Sequence, residues 1–133
     1  MRLCLKIHFW KSAGWCWYMD SRDAAVLKKI SEEAEIIASM IAGFEYEDFA
    51  VDEKTKRAVC MTLINISEMV KLLSDNVRQT NPAVPWRSIA GLRDATAHGY
   101  QTLRMIDIWE TITKDIPQLL TQVRDILDAE EAD

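Results

Sequence analysis

The chain has 133 residues, 49% of them hydrophobic and 28% charged, which is the length and composition of one compact domain able to bury a core without metal or disulfide support. Its formal net charge of −5 is unevenly placed: residues 1–18 hold Arg2, Lys6 and Lys11 and no acid, so the remaining thirteen basic residues face all twenty-one acids, a balance of −8. An acidic body repels nucleic acid at long range, which excludes a general nucleic-acid coat protein and demands a local basic site or a partner for any contact with RNA.

Residues 1–18, MRLCLKIHFWKSAGWCWY, carry three of the five tryptophans and read unlike the rest of the chain. Lys6, His8 and Lys11 interrupt any signal-peptide core, and no small-residue cleavage site is clear. Secretion is therefore not expected; Met19 reads as the natural start, with 1–18 an atypical extension and 19–133 the domain. The functional alternative for the extension is an aromatic segment that docks on a partner. Cys4, Cys16 and Cys60 are odd in number, widely spaced and without a C-x-x-C, which suggests neither a disulfide framework nor a zinc site and fits a reducing cytoplasm. No apolar run approaches the roughly 20 residues of a membrane span.

From Ser21, the residues Val26, Leu27, Ile30, Ala34, Ile37 and Ile41 advance by threes and fours, as one face of a helix does. Asp20 or Ser21 caps its start and Gly43 marks its end. The segment FEYEDFAVD breaks the period. A second helix is predicted from about Asp52 to Val77 on the stripe Val59, Leu63, Ile66, Val70, Leu73 and Val77. It carries a further row, Met61, Asn65, Glu68 and Leu72, well round the cylinder from the first. Asn65 and Glu68 read either as a solvated flank or as residues beside a site or a dimer seam.

The linker QTNPAVP ends with Pro85, which suits the first turn of a short third helix, WRSIAGLRDATAH. Its small residues Ala90, Gly91, Ala95 and Ala97 let another backbone come close. A last helical region runs through Ile108, Ile112, Ile116, Leu119, Val123 and Ile126, with Pro117 expected to kink or restart it. No strand-like alternation of useful length and no internal repeat are present, so the expected fold is an all-α, up-and-down bundle of four to five helices.

The third helix closes on the run LRDATAHGY, Leu92 to Tyr100. Gly99 suits the left-handed residue past a helix end, so His98 has an ordinary role as a C-terminal residue favoured by the helix dipole. By composition an arginine precedes a histidine at a chosen spacing about one time in twenty, so the Arg93/His98 pair alone carries little weight. In an ideal helix the five-residue step rotates the two side chains by about 140°. They converge only if the helix unwinds near Gly99, or if two chains bring their pairs together across a symmetric interface. The chemistry on offer is acid–base work without a metal or cofactor: no histidine-rich ligand set accompanies His98. RNA supplies its own nucleophile in the 2′-hydroxyl, histidine titrates near neutrality, and arginine presents a planar fork to phosphate oxygens. No phosphate-binding loop, dinucleotide fingerprint or serine-hydrolase elbow is present.

The combination of R-x-x-x-x-H followed by Gly-Tyr, the Pro85-Trp86 that opens its helix, LINISEMVKLLSD upstream and IDIWETITKDIPQLL downstream resembles the HepT-like branch of the HEPN superfamily, from about Met19 to Leu127. The resemblance implies a dimerising helical bundle that acts as the toxin of a type II or type VII-like toxin–antitoxin pair, a metal-independent endoribonuclease with the R-x4-H motifs of two subunits in one cleft. By position, Arg93 would bind and stabilise the phosphate, His98 would be the acid–base group, and Asp94 would support the pair. The implied partners are an RNA substrate, a second copy, and a minimal nucleotidyltransferase antitoxin that neutralises the toxin by complex formation or by adding AMP to Tyr100. Relatives often read N-x-G-E where this chain has Ser67 between Asn65 and Glu68, which loosens any carry-over to those two as cleft-lining residues. The competing reading is a non-catalytic helical module that binds a nucleotidyltransferase or a nucleotide.

Overall fold

The computed structural model describes residues 19–98 and 104–132, and of Ala97, His98 and Ala132 the backbone only. The expectations for residues 1–18 and for Gly99 and Tyr100 lie outside the described residues. The described chain is helical, with no strand among the described residues, as the periodicity requires. No helix among them is long and apolar enough to cross a membrane.

Helix α1 spans Ser21–Met40 and is capped by Asp20, whose carboxylate accepts the Asp23 N–H at 2.9 Å. It ends where expected, with Gly43 in the left-handed region at φ 80°. Its inner face buries Leu27, Ile30, Ala34 and Ile37. The stretch read as a break in the period instead holds a short helix, α2 (Tyr46–Val51), because the Asp48 carboxylate accepts the Glu45 N–H at 2.9 Å and stabilises a single turn and a half. Phe49 is thereby driven into the core, its ring 5.3 Å from that of Trp109. Helix α3 (Glu53–Val70) starts on Asp52, which accepts from the Thr55 N–H and hydroxyl at 3.1 and 3.0 Å. These hydrogen bonds, the amide's first, hold the Asp52 carboxyl below its ordinary value.

The second predicted helix needs correction: α3 stops at Val70, seven residues short of Val77. The stripe residues Leu73 and Val77 are buried nonetheless, which is why the apolar pattern ran on unbroken. The break comes from outside the segment. Asp23, 3% exposed in the first turn of α1, accepts the Ser74 N–H at 3.0 Å and the Ser74 hydroxyl at 2.7 Å. The Ser74 oxygen in turn accepts the Val77 N–H at 3.4 Å and caps α4 (Asp75–Thr80). Arg78 closes the other side, donating to the carbonyls of Lys71 and Leu73 at 3.2 and 2.9 Å, which the ended helix leaves without intrahelical partners.

After α4 the chain turns through Asn81, whose carbonyl takes the indole N–H of buried Trp86 at 3.0 Å. Helices α5 (Trp86–Ala90) and α6 (Leu92–His98) are nearly continuous: the Gly91 N–H still reaches Arg87 and Ser88 carbonyls, and the Ala95 N–H reaches the Gly91 carbonyl. The last region is α7 (Met105–Glu110), a π turn over Thr111–Asp115, and α8 (Ile116–Ala132). Pro117 accounts for the π turn, since it brings no N–H and its ring crowds the carbonyl one turn back; the Ile116 N–H bonds instead to the Thr111 carbonyl, five residues behind. The predicted kink is thus a local widening that leaves Ile112, Ile116, Leu119 and Val123 all buried.

Helix α1 packs on α3 and α8, while α5 and α6 return along α3. Glu35 and Arg124 add an ion pair between α1 and α8. Three long rods with short helices between them make the all-α bundle that the sequence implied, cut into more pieces by the breaks at residues 71–74, at Gly91 and at the π turn. Ser74→Ala should lower unfolding free energy by about 2–3 kcal/mol, the sum of a lost cap and a lost hydrogen bond to a buried carboxylate, with an unchanged urea m-value.

Candidate functional site

The return of α6 along α3 decides what stands beside the motif arginine. Arg93 is the second residue of α6, its side chain 42% exposed. Its Nε lies 3.5 Å from Oε2 of Glu68, in the last turn of α3, and its Nη1 lies 3.4 Å from Oδ1 of Asp94. The same Glu68 oxygen accepts from Lys71 Nζ at 3.1 Å. Arg93 therefore contacts two carboxylates at the surface and shares one oxygen of Glu68 with a second cation. Exposed pairs of this kind hold a side chain's direction weakly, so an incoming anion can displace them.

Asn65 is also exposed, and its amide donates to Glu33 Oε2 of α1 at 3.4 Å. A polar row thus crosses three helices: Glu33, Asn65, Glu68, Arg93 and Asp94. Large apolar side chains flank it. Met61 of α3 and Leu72, just past its end, are 56% and 50% exposed, and Ile36, one turn along α1 from Glu33, is also exposed. Asn65 and Glu68 are both exposed, and Glu68 contacts Arg93.

The backbone of α6 remains helical through position 98, so the helix does not unwind before Gly99 and the offset of about 140° between positions 93 and 98 stands within one chain. The side chain of His98, like Gly99 and Tyr100, lies outside the described residues. Thr96, on the helix between them, is buried at 2% exposure and anchors the inner face. On the outer side Gly91 and Ala95 are exposed and present little bulk. Cys60 is no competing nucleophile: it is buried, and burial pushes its thiol above the ordinary value against a smaller opposing pull from Lys56.

Lys71 is the neighbour that sequence reading passed over. Its signal was present as Glu68 and Lys71 three apart on one helix. The Arg93 contact had no such signal, because it joins residues on different helices.

The sequence has relatives among known proteins. The profile of the family described as Ribonuclease HepT-like matches residues 30–126. A protein of Caldanaerobacter subterraneus subsp. tengcongensis that carries an RNase name is 40% identical over 105 residues, covering 79% of this chain and 94% of the relative. A Thermococcus cleftensis protein named "Probable ribonuclease HepT" is 34% identical, covering 70% of this chain and 84% of its own. A Methanocaldococcus jannaschii protein with an RNase name is 32% identical, covering 82% and 91%. No solved structure matches the chain.

Because Arg93 and Glu68 are both substantially exposed, Arg93→Ala and Glu68→Ala should each change stability by less than about 1 kcal/mol in denaturant titrations. Any loss of function in these variants is then separable from unfolding.

Proposed function

Since the chain belongs to the Ribonuclease HepT-like family of HEPN proteins, we propose that it is a metal-independent endoribonuclease whose active site is shared by two copies of the chain. The observation that carries this reading is the placement of Arg93: solvent-accessible, on a helix packed against α3, and held only by exposed carboxylates that a phosphate can replace. Arg93 takes a phosphate oxygen of the RNA strand, and Asp94 supports its fork. His98 acts as the acid–base group. It removes the 2′-hydroxyl proton as that oxygen attacks phosphorus, and the departing 5′-oxygen gains a proton, leaving a 2′,3′-cyclic phosphate and a 5′-hydroxyl end. DNA has no such hydroxyl and is not cut.

The intact helix through position 98 supports the two-chain arrangement, because Arg93 and His98 then meet more readily across a two-fold axis than along one helix. The exposed apolar side chains beside the polar row, with exposed Gly91 and Ala95, are the surface for that approach. Asn65 and Glu68 line the cleft.

In the cell the protein is read as the toxin of a toxin–antitoxin pair in the cytoplasm, its antitoxin a minimal nucleotidyltransferase. That enzyme transfers AMP from ATP to the Tyr100 hydroxyl, which attacks the α-phosphorus as pyrophosphate leaves. The added phosphate, two residues from His98, is drawn to Arg93 and excludes RNA. The acidic balance of −8 over residues 19–133 keeps a second reading in view, a non-catalytic module that binds the transferase.

Expression without the partner should arrest growth and cleave RNA, and Arg93→Ala or His98→Ala should each slow cleavage at least about a hundredfold. Variants that cut as fast as the parent would remove the assigned mechanism. Mass spectrometry after incubation with the transferase and ATP should find AMP on the peptide containing Tyr100.

A further inference from the structure

An RNA strand is a polyanion, and the body of this protein carries −8 from residue 19 onward. One guanidinium already shared between two carboxylates is a small attraction against that field. The polar row supplies a second cation. Lys71 Nζ and Arg93 Nε contact the same oxygen of Glu68, at 3.1 and 3.5 Å, so the ammonium and the guanidinium converge on one carboxylate oxygen and are neighbours.

The backbone that carries the Lys71 side chain is held by hydrogen bonds. Lys71 is the C-cap of α3, its N–H donating to the carbonyls of Met69 and Ser67. Its own carbonyl accepts from Arg78 Nη2, which also holds Leu73. The helix break fixed by Asp23 and Ser74 lies just beyond. The backbone is thus pinned on both sides while the side chain remains 43% exposed and open to a ligand.

We propose that Lys71 is a second phosphate-binding residue, holding the RNA backbone phosphate next to the one that Arg93 engages. The inference rests on the reading of Arg93 as the phosphate binder and extends its site along the end of α3. Without RNA, Glu68 contacts both cations and Asp94 shares the guanidinium. When the strand docks, phosphate oxygens replace the Glu68 contacts, one exposed charge pair being exchanged for another. Two neighbouring cations held at fixed helix positions give the strand a direction across the cleft, which a single arginine does not.

The test uses the full-length chain carrying His98→Ala, so that bound RNA is not consumed, and a fluorescently labelled single-stranded RNA titrated over a range of salt. Removing one phosphate contact from a single strand should lower the slope of log affinity against log salt by about 0.7. Lys71→Gln is expected to show that drop with a several-fold weaker affinity at low salt, and Lys71→Arg to restore both. A merely structural role for Lys71 would leave the slope unmoved. An unchanged slope for Lys71→Gln, alongside a reduced slope for Arg93→Ala, overturns the assignment of Lys71 and leaves the Arg93 reading intact. If Arg93→Ala also leaves the slope unchanged, both fall together.

Discussion

Asp23 accepts two hydrogen bonds from Ser74, fifty-one residues further along the chain, and much of the rest of the domain depends on where that contact sits. A carboxylate buried in the first turn of α1 needs donors, because an unpaired charge out of water costs several kcal/mol. Ser74 supplies its amide and hydroxyl only if the backbone leaves the α-helical path there. The second long helix is therefore cut at Val70. The chain turns through α4, locks Trp86 onto the Asn81 carbonyl, and sends α5 and α6 back along α3. Had α3 continued to Val77, the segment bearing Arg93 would have lost the turn that returns it to the Glu68 level.

Stability and the candidate site draw on different parts of the molecule. The core is a continuous apolar cluster joining Leu27, Ile30 and Ile37 of α1, Leu63 and Ile66 of α3, and Ile116, Leu119 and Val123 of α8. Each such side chain contributes about 1.5–3 kcal/mol when fully buried. The polar row around Arg93 lies at the surface, where single ion pairs contribute about 0–1 kcal/mol. That division suits a site that must exchange partners. The Glu68 contacts orient Arg93 and Lys71 only weakly, while the backbone beneath is held by the core and by the Asp23–Ser74 contact.

The π turn keeps the third rod's core face intact in a similar way. Pro117 removes a donor from the middle of an apolar stripe, and a straight α-helix would leave a carbonyl unpaired there. Widening one turn between Thr111 and Asp115 lets the Ile116 N–H reach back five residues, and the stripe on either side still faces inward. Phe49 and Tyr46 of α2 pack on Trp109 just before this turn, so the short helix that sequence periodicity missed meets α7 there.

Local pattern determined a good deal of this protein. The stripe from Leu27 to Ile37, the cap at Asp20, the left-handed Gly43 and the disturbance at Pro117 were all legible, because each depends on residues within a turn or two of one another. The run from Arg93 to Tyr100, with its flanking segments, also pointed to the family that the profile over residues 30–126 establishes. The break at Ser74 was not legible, since Leu73 and Val77 keep helical spacing and the cause of the break lies in Asp23 on another helix. Nor was α2, whose single capping interaction is too short to give a period. Asn65 and Glu68 were visible as an exposed row, but the alternatives of plain flank and site neighbour could not be separated there. Only the return of α6 along α3 brought Arg93 to Glu68 and its neighbour Lys71. Periodicity reports which face of a helix seeks burial, whereas a meeting of charges from two helices depends on how those helices are packed, and that is decided by the core and by contacts far apart in the chain.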